Sequence, residues 1–163
     1  MITNINIKNY KSVVDVNLPL GRFNLLIGAN GCGKSNILEG IALGAAASSD
    51  KLEYEYFANR GIRIVDPRLM LPAFEEMGSD AITVNIKNAK DVVFDIRYNK
   101  DAKPARWEAE QVCYKDANPD ISQFLIYSLE ESTLRKADDS NRTYPLGLHG
   151  EGLFPYLKNL AQR

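Results

Sequence analysis

The sequence predicts an α/β fold, and three observations predict it. A short, almost continuously apolar run ends on a glycine-rich turn, and a helical pattern opens directly after that turn. Strict apolar–polar alternation, the mark of half-buried strands, stands on both sides of this unit.

The elements follow in chain order. Ile5 and Ile7 alternate with polar residues, and after Asn9-Tyr10-Lys11-Ser12 a second alternating run carries Val14, Val16, Leu18 and Leu20. Gly21-Arg22 turns the chain into Phe23–Ile27, a run apolar enough to predict a strand buried on both faces. Beyond the glycine-rich turn, Ile37, Leu38, Ile41, Ala42 and Ala45 fall at helical spacing, which predicts a helix from near Gly33 to about Ala47. Residues 48–80 are less regular; Asp66-Pro67 is a cap-and-first-turn signal for a short helix carrying Leu69, Met70, Phe74 and Met77, against which Pro72 speaks. Alternation returns at Ile82, Val84 and Ile86, then at Val92, Phe94, Ile96 and Tyr98, with a third strand expected from Trp107 to Tyr114. These three make an antiparallel meander. Residues 121–134 fit a helix or a buried strand, and periodicity does not separate the two. A polar loop from Lys136 to Thr143 leads to Leu153, Phe154, Leu157 and Leu160 at helical spacing. The expected organisation is one partial domain over residues 1–163, built of segments 1–47, 48–80, 81–115 and 116–163.

Bulk properties bound the function. With 45% hydrophobic and 25% charged residues over 163 positions, the chain has the make-up of one globular domain. A net charge of −1 excludes a chain that coats nucleic acid by charge alone, though not a local basic face. Two cysteines, Cys32 and Cys113, make no disulfide framework. No stretch approaches the roughly 18 apolar residues that cross a bilayer, and the N-terminus lacks the pattern of a signal peptide. A cytoplasmic protein with no membrane partner is expected.

The chemistry is concentrated in Gly28–Ser35, GANGCGKS, which satisfies G-x-x-x-x-G-K-[ST]. Gly28 and Gly33 permit backbone conformations that other residues resist, so main-chain N–H groups can close around phosphate oxygens. The helix that follows turns its partly positive N-terminus to the same place. Lys34 reaches the β- and γ-phosphates, and the Ser35 hydroxyl ligates Mg²⁺. Asn30, Gly31 and Cys32 line the loop through their backbones, and Asn36 closes the set. ATP with Mg²⁺ is the expected ligand.

The wider segment, IKNYKSVVDVNLPLGRFNLLIGANGCGKSNILEGIALG, resembles the start of the SMC/RecF-like branch of the ABC ATPases, including the AAA_15/AAA_21-type ATPases. The matching features are I-x-N-[FY]-[KR]-S at Ile7–Ser12, the block from Asn24 to Glu39, and the meander after the first helix. The late segment Leu146–Leu153 is similar to the helix start L-x-x-[DH]-G-x-x-L of these proteins. The resemblance implies a P-loop NTPase fold: the N-terminal lobe of an ATPase head, with a mixed sheet whose antiparallel meander packs on the P-loop helix. It also implies that two heads sandwich two ATP molecules, so that a second head, as in a homodimer, or a C-terminal half is an expected partner. DNA repair, chromosome maintenance or defence enters by family analogy alone. Lys11 and Ser12 match a pair that sits near the nucleotide in the family.

Hydrolysis needs an acidic residue at the end of an apolar strand and a neighbouring glutamate. Asp95, after Val92-Val93-Phe94, is followed by Ile96-Arg97 and belongs to an alternating strand; Asp66, after Ile64-Val65, runs into proline. No L-S-G-G-like signature occurs. Gln111 and Gln123 are the candidates for the glutamine that contacts Mg²⁺. His149, the sole histidine, reads as a loop residue. The expectation is therefore an N-terminal part of a longer ATPase, which binds ATP but lacks catalytic residues of its own. Two other readings stand beside it. A small kinase or GTPase fits the meander poorly, and Asn99-Lys100-Asp101 lacks the spacer of a guanine-reading segment. A non-catalytic interaction module would require a vestigial P-loop although all four motif residues are present.

Overall fold

The computed structural model of the chain describes residues 2–73, 80–88, 91–112, 121–134 and 147–161, and of Phe154 the backbone alone. Alternation becomes strands where it was expected. β1 (Asn4–Tyr10) and β2 (Val13–Pro19) form a hairpin with Ile5 opposite Leu18 and Ile7 opposite Val16. β3 (Ile82–Lys87), β4 (Asp91–Asn99) and β5 (Arg106–Gln111) form the meander. The five strands make one sheet in the order β2-β1-β3-β4-β5, and every pairing is antiparallel. Cys113 and Tyr114, expected at the end of the third meander strand, lie outside the described residues.

Helix α1 (Lys34–Ser48) covers one face of this sheet. Ile5, Ile7, Val84, Ile86, Val92, Phe94 and Ile96 point toward that face and are almost wholly buried, together with Ala42, Leu43, Ala45 and Ala46. Two glycines let the helix backbone come down onto the strands. A Cβ on Gly40 would stand 3.0 Å from the Ile7 side chain, and one on Gly44 would stand 2.7 Å from Val84 Cγ1. Close packing of this kind transmits position, so the sheet fixes where the N-terminus of α1 lies.

Three expectations need correction. Phe23–Ile27 pairs with no strand among the described residues, and Phe23, Leu25 and Ile27 are 84%, 69% and 85% exposed. A strand requires a ladder partner for its N–H and C=O groups; β1 to β5 pair among themselves, and neither edge strand, β2 or β5, pairs with this segment. The mixed sheet is thus present as its antiparallel part. Second, the segment opened by Asp66 is a 3₁₀ turn, Pro67–Met70, that stops before Pro72; Asp66 caps it by accepting from Arg68 N at 2.9 Å. Met70 is buried and Leu69 exposed, while Phe74 and Met77 lie outside the described residues. Third, residues 124–130 are extended without being a sheet strand, and a single helical turn, α3 (Glu131–Leu134), follows.

A short helix that periodicity did not signal, α2 (Tyr54–Asn59), buries Phe57. Directly after it, the buried Arg60 guanidinium stacks 4.4 Å from the Tyr56 ring centroid and donates to the Tyr56 hydroxyl and to the Ser122 and Phe124 carbonyls. This ties the extended segment to the body, and Ile126 N adds a bond to Arg60 O at 3.2 Å. The helix expected around Leu157 and Leu160 is α4 (Leu153–Ala161). Residues 135–146, which hold the polar loop from Lys136 to Thr143, lie outside the described residues. Among the described residues no helix is long and apolar enough to cross a membrane.

Candidate nucleotide-binding site

The glycine-rich turn leads into α1 as its sequence requires. Gly31 has φ +81° and Gly33 has φ +94°, both in the left-handed region that favours glycine. Gly33 is the N-cap of α1, no side chain caps it, and no acidic residue stands in the first turn. The first-turn amides therefore have no partner supplied by a cap, the condition that makes a helix N-terminus receptive to an anion. They border a cavity of about 300 Å³ lined by Asn30, Gly31, Gly33, Lys34, Ser35, Asn36 and Arg63. A Cβ on Gly28 would stand 2.7 Å from Cys32 Sγ, so this position also requires glycine.

Lys34 folds back over the loop. Its ammonium donates to the Gly28 and Ala29 carbonyls at 2.7 Å each and lies 3.6 Å from Cys32 Sγ. The positive charge thus stands at the mouth of the loop, held by carbonyl oxygens and the Cys32 sulfur and paired with no carboxylate among the described residues. The Ser35 hydroxyl side is exposed and borders both this cavity and a neighbouring one of about 420 Å³. Main-chain donors, one ammonium and one hydroxyl in a small concave space suit a phosphate chain with a bound cation. Among the described residues no cluster of three or more His, Cys, Asp or Glu could hold a metal by itself.

The turn between β1 and β2 completes the wall. Asn9 and Lys11 have φ +58° and φ +50°. Asn9 is anchored by donating Nδ2 to Ala81 O at 3.2 Å, and Lys11 N bonds Met70 O at 2.9 Å. The kink turns Tyr10 toward α1, where its hydroxyl donates to Glu39 Oε2 at 3.1 Å. Ser12 Oγ accepts from Asn36 Nδ2 at 2.8 Å and stands 3.1 Å from where a Gly33 Cβ would be. Ser12 therefore touches the phosphate-side turn of α1. Lys11 does not point there: its ammonium pairs with Glu39 Oε2 and donates to Arg63 O at 3.2 Å.

Two residues of this network carried no assigned role in the sequence. Glu39 is 3% exposed and accepts from Tyr10, Lys11 and Arg63. Arg63 uses Nε for Glu39 and donates Nη2 to Asn36 Oδ1 at 2.8 Å, while bordering the phosphate-side cavity. Charged residues at unrelated sequence distances show their meeting only in the fold; the sole signal was a glutamate within the apolar stretch Ile37–Ala47 of α1. Burial and the facing Glu39 carboxylate together push the Tyr10 phenol well above its ordinary range, burial being the larger cause.

The remaining candidates are dispersed. Gln111 ends β5 opposite Phe94. Gln123 lines an apolar cavity of about 670 Å³ with Ile5, Leu25, Leu26 and Ile41. Neither borders the two cavities that Ser35 borders. Asp95 sits on the sheet face opposite α1, accepting from Thr83 Oγ1 at 2.8 Å. The Asp66 carboxyl is held at about 2 by the Arg68 guanidinium and backbone N–H, and Asp66 is not among the residues that line the cradle. His149 borders the 420 Å³ cavity beside Ser35, with Nδ1 3.1 Å from Ser128 O.

No curated protein matches the chain. A solved structure from work on the structural biochemistry of ATP-driven dimerization and DNA stimulated activation of SMC ATPases is similar at TM-score 0.51 and 21% identity, covering 99% of this chain and 95% of that one. The likeness shows a shared fold. Residues 1–146 match the AAA_15 family, described as an AAA ATPase domain, and with nine-tenths of its length inside that match the chain belongs to this family of ATP-binding ATPase-type domains.

Proposed function

We propose that the chain holds ATP·Mg²⁺ at Gly28–Ser35 and is the nucleotide-binding lobe of an ATPase whose turnover needs groups supplied by a C-terminal half. The observation that carries this is the uncapped N-terminus of α1 opening onto a cavity with Lys34 and Ser35 at its rim. Loop amides and Lys34 bind and orient the phosphate chain, and Ser35 contributes a ligand to the cation. Bound Mg²⁺ would neutralise phosphate charge. Ser12 and Asn36, bonded to each other, hold the β1–β2 turn against the first turn of α1.

A C-terminal continuation is the reading that best accounts for Phe23–Ile27, an apolar run left exposed beside the P-loop. Strands from such a half would supply the ladder partner and the acidic residue that neither Asp66 nor Asp95 brings to the cradle. Engagement of two heads and stimulation by DNA follow by analogy with the similar structure, and a role in repair, chromosome maintenance or defence rests on the family resemblance alone. The test is Lys34→Ala. Because the Lys34 ammonium bonds only within its own loop, the variant keeps its thermal stability and loses nucleotide binding. Unchanged binding of labelled ATP by the folded variant overturns the site, and fast turnover by the chain alone overturns the need for outside groups.

A further inference from the structure

His149 is the one histidine of the chain, and its ring is held in place. Nδ1 lies 3.1 Å from Ser128 O, and Glu130 Oε1 stands 3.5 Å from the same nitrogen. A carbonyl only accepts, so Nδ1 carries the proton of the neutral ring and Nε2 keeps a bare lone pair. No hydrogen bond to Nε2 forms among the described residues. The main chain beneath the ring is tied as well. His149 N donates to Glu151 Oε2 at 3.0 Å, while the Leu148 and His149 carbonyls accept from Ser128 N at 2.8 Å and Glu130 N at 3.1 Å. An imidazole that spends one N–H on a carbonyl, with a carboxylate beside it, is oriented as metal-ligating imidazoles are. His149 and Ser35 border the same cavity of about 420 Å³. Glu39 borders it too, but that carboxylate is already taken by Tyr10, Lys11 and Arg63. Gln111 and Gln123 do not border it.

We propose that His149 Nε2 is a ligand of the divalent cation that Ser35 holds with the nucleotide, and that this nitrogen makes the site favour a transition ion such as Mn²⁺ over Mg²⁺. The Ser35 hydroxyl, phosphate oxygens and water supply the other ligands. Oxygen donors alone would suit Mg²⁺, which demands near-ideal octahedral geometry and gives up its waters reluctantly. A transition ion accepts nitrogen and oxygen donors together, and its affinity for such a mixed set rises along the first row from Mn²⁺. The imidazole is therefore what changes the choice of ion. This inference rests on the nucleotide site proposed above.

A single histidine makes the experiment direct, because ¹⁵N-histidine labelling marks this ring alone. Pulsed EPR is recorded on the untagged full chain with Mn²⁺ and a non-hydrolysable ATP analogue. A nitrogen coupling to Mn²⁺ that changes with the label is expected, and it is absent from His149→Ala. Calorimetry then compares the analogue with Mn²⁺ and with Mg²⁺. The variant is expected to lose about tenfold in affinity with Mn²⁺ and to stay within about twofold with Mg²⁺. The main-chain bonds of residue 149 do not use the ring, and thermal unfolding without nucleotide confirms that the variant folds. Nucleotide bound with Mn²⁺ but without a label-sensitive coupling overturns the ligand, whatever the variant does. Equal losses with the two ions overturn the preference. Failure of the unaltered chain to bind the analogue with either ion overturns the nucleotide site itself, and His149 with it.

Discussion

Tyr10 donates its hydroxyl to Glu39 Oε2 at 3.1 Å, inside the contact between β1 and α1. The bond joins the strand that enters the β1–β2 turn to the helix that carries Lys34 and Ser35. It therefore sets how the Ser12 side of the site faces the phosphate side. Asn9, with φ +58°, is what brings a residue that strand alternation would turn away onto the helix face.

This bond makes stability depend on alkaline pH. Burial and the Glu39 carboxylate raise the Tyr10 phenol in the folded protein above its ordinary value of 10.0. In the unfolded chain the phenol ionises from about pH 10, while the folded protein keeps its proton. The contribution is thus fully present below pH 10 and is lost as pH rises above it, at up to about 1.4 kcal/mol per pH unit. Tyr10→Phe is expected to lower stability at pH 7 by about 1–2 kcal/mol and to flatten the fall above pH 10. Urea titrations of both proteins from pH 7 to 11 measure it; parallel curves would contradict the assignment.

At Gly44 the helix lies close on the sheet, where a Cβ would stand 2.7 Å from Val84 Cγ1. Gly44→Ala gains helix propensity of about 1 kcal/mol but must displace a methyl group that is itself fully buried. Gly44→Val adds two more methyl groups and gains less propensity. The expected order of urea midpoints is wild type, then alanine, then valine, with valine costing about 1–3 kcal/mol. A valine variant as stable as wild type would show that α1 can lift from the sheet without loss.

The legible parts of the fold were those whose pattern is local. β1 to β5 carried their alternation openly, and α1 its helical spacing, because each has one partner face and the residues that fill it are near in sequence. Gly28–Ser35 was legible for another reason, since backbone geometry dictates residue type position by position. Phe23–Ile27 shows the limit. Its composition states that it should be buried, but composition cannot say which chain supplies the ladder beside it. Arg63 and Glu39 are 24 residues apart and join through a loop whose path no periodicity encodes. Arg60 likewise fastens a segment 62 to 64 residues away. Such long-range polar pairings appear only when the chain is folded.

Cys32 offers a direct reading of whether nucleotide occupies the loop. It is exposed, lies between Gly31 and Gly33 of the cavity wall, and has its sulfur 3.6 Å from the Lys34 ammonium. A phosphate chain held by the loop amides draws Lys34 off the Gly28 and Ala29 carbonyls and covers the turn that presents the thiol. ATP·Mg²⁺ is therefore expected to slow alkylation of Cys32 by at least about fivefold, an occupancy effect that follows the ligand's saturation. Peptide mapping by mass spectrometry reads the adduct at Cys32 separately from any at Cys113. Alkylation carried out first should in turn abolish nucleotide binding, because the adduct stands where the loop must close. Equal labelling rates at saturating ATP·Mg²⁺ would place the nucleotide away from Gly28–Ser35.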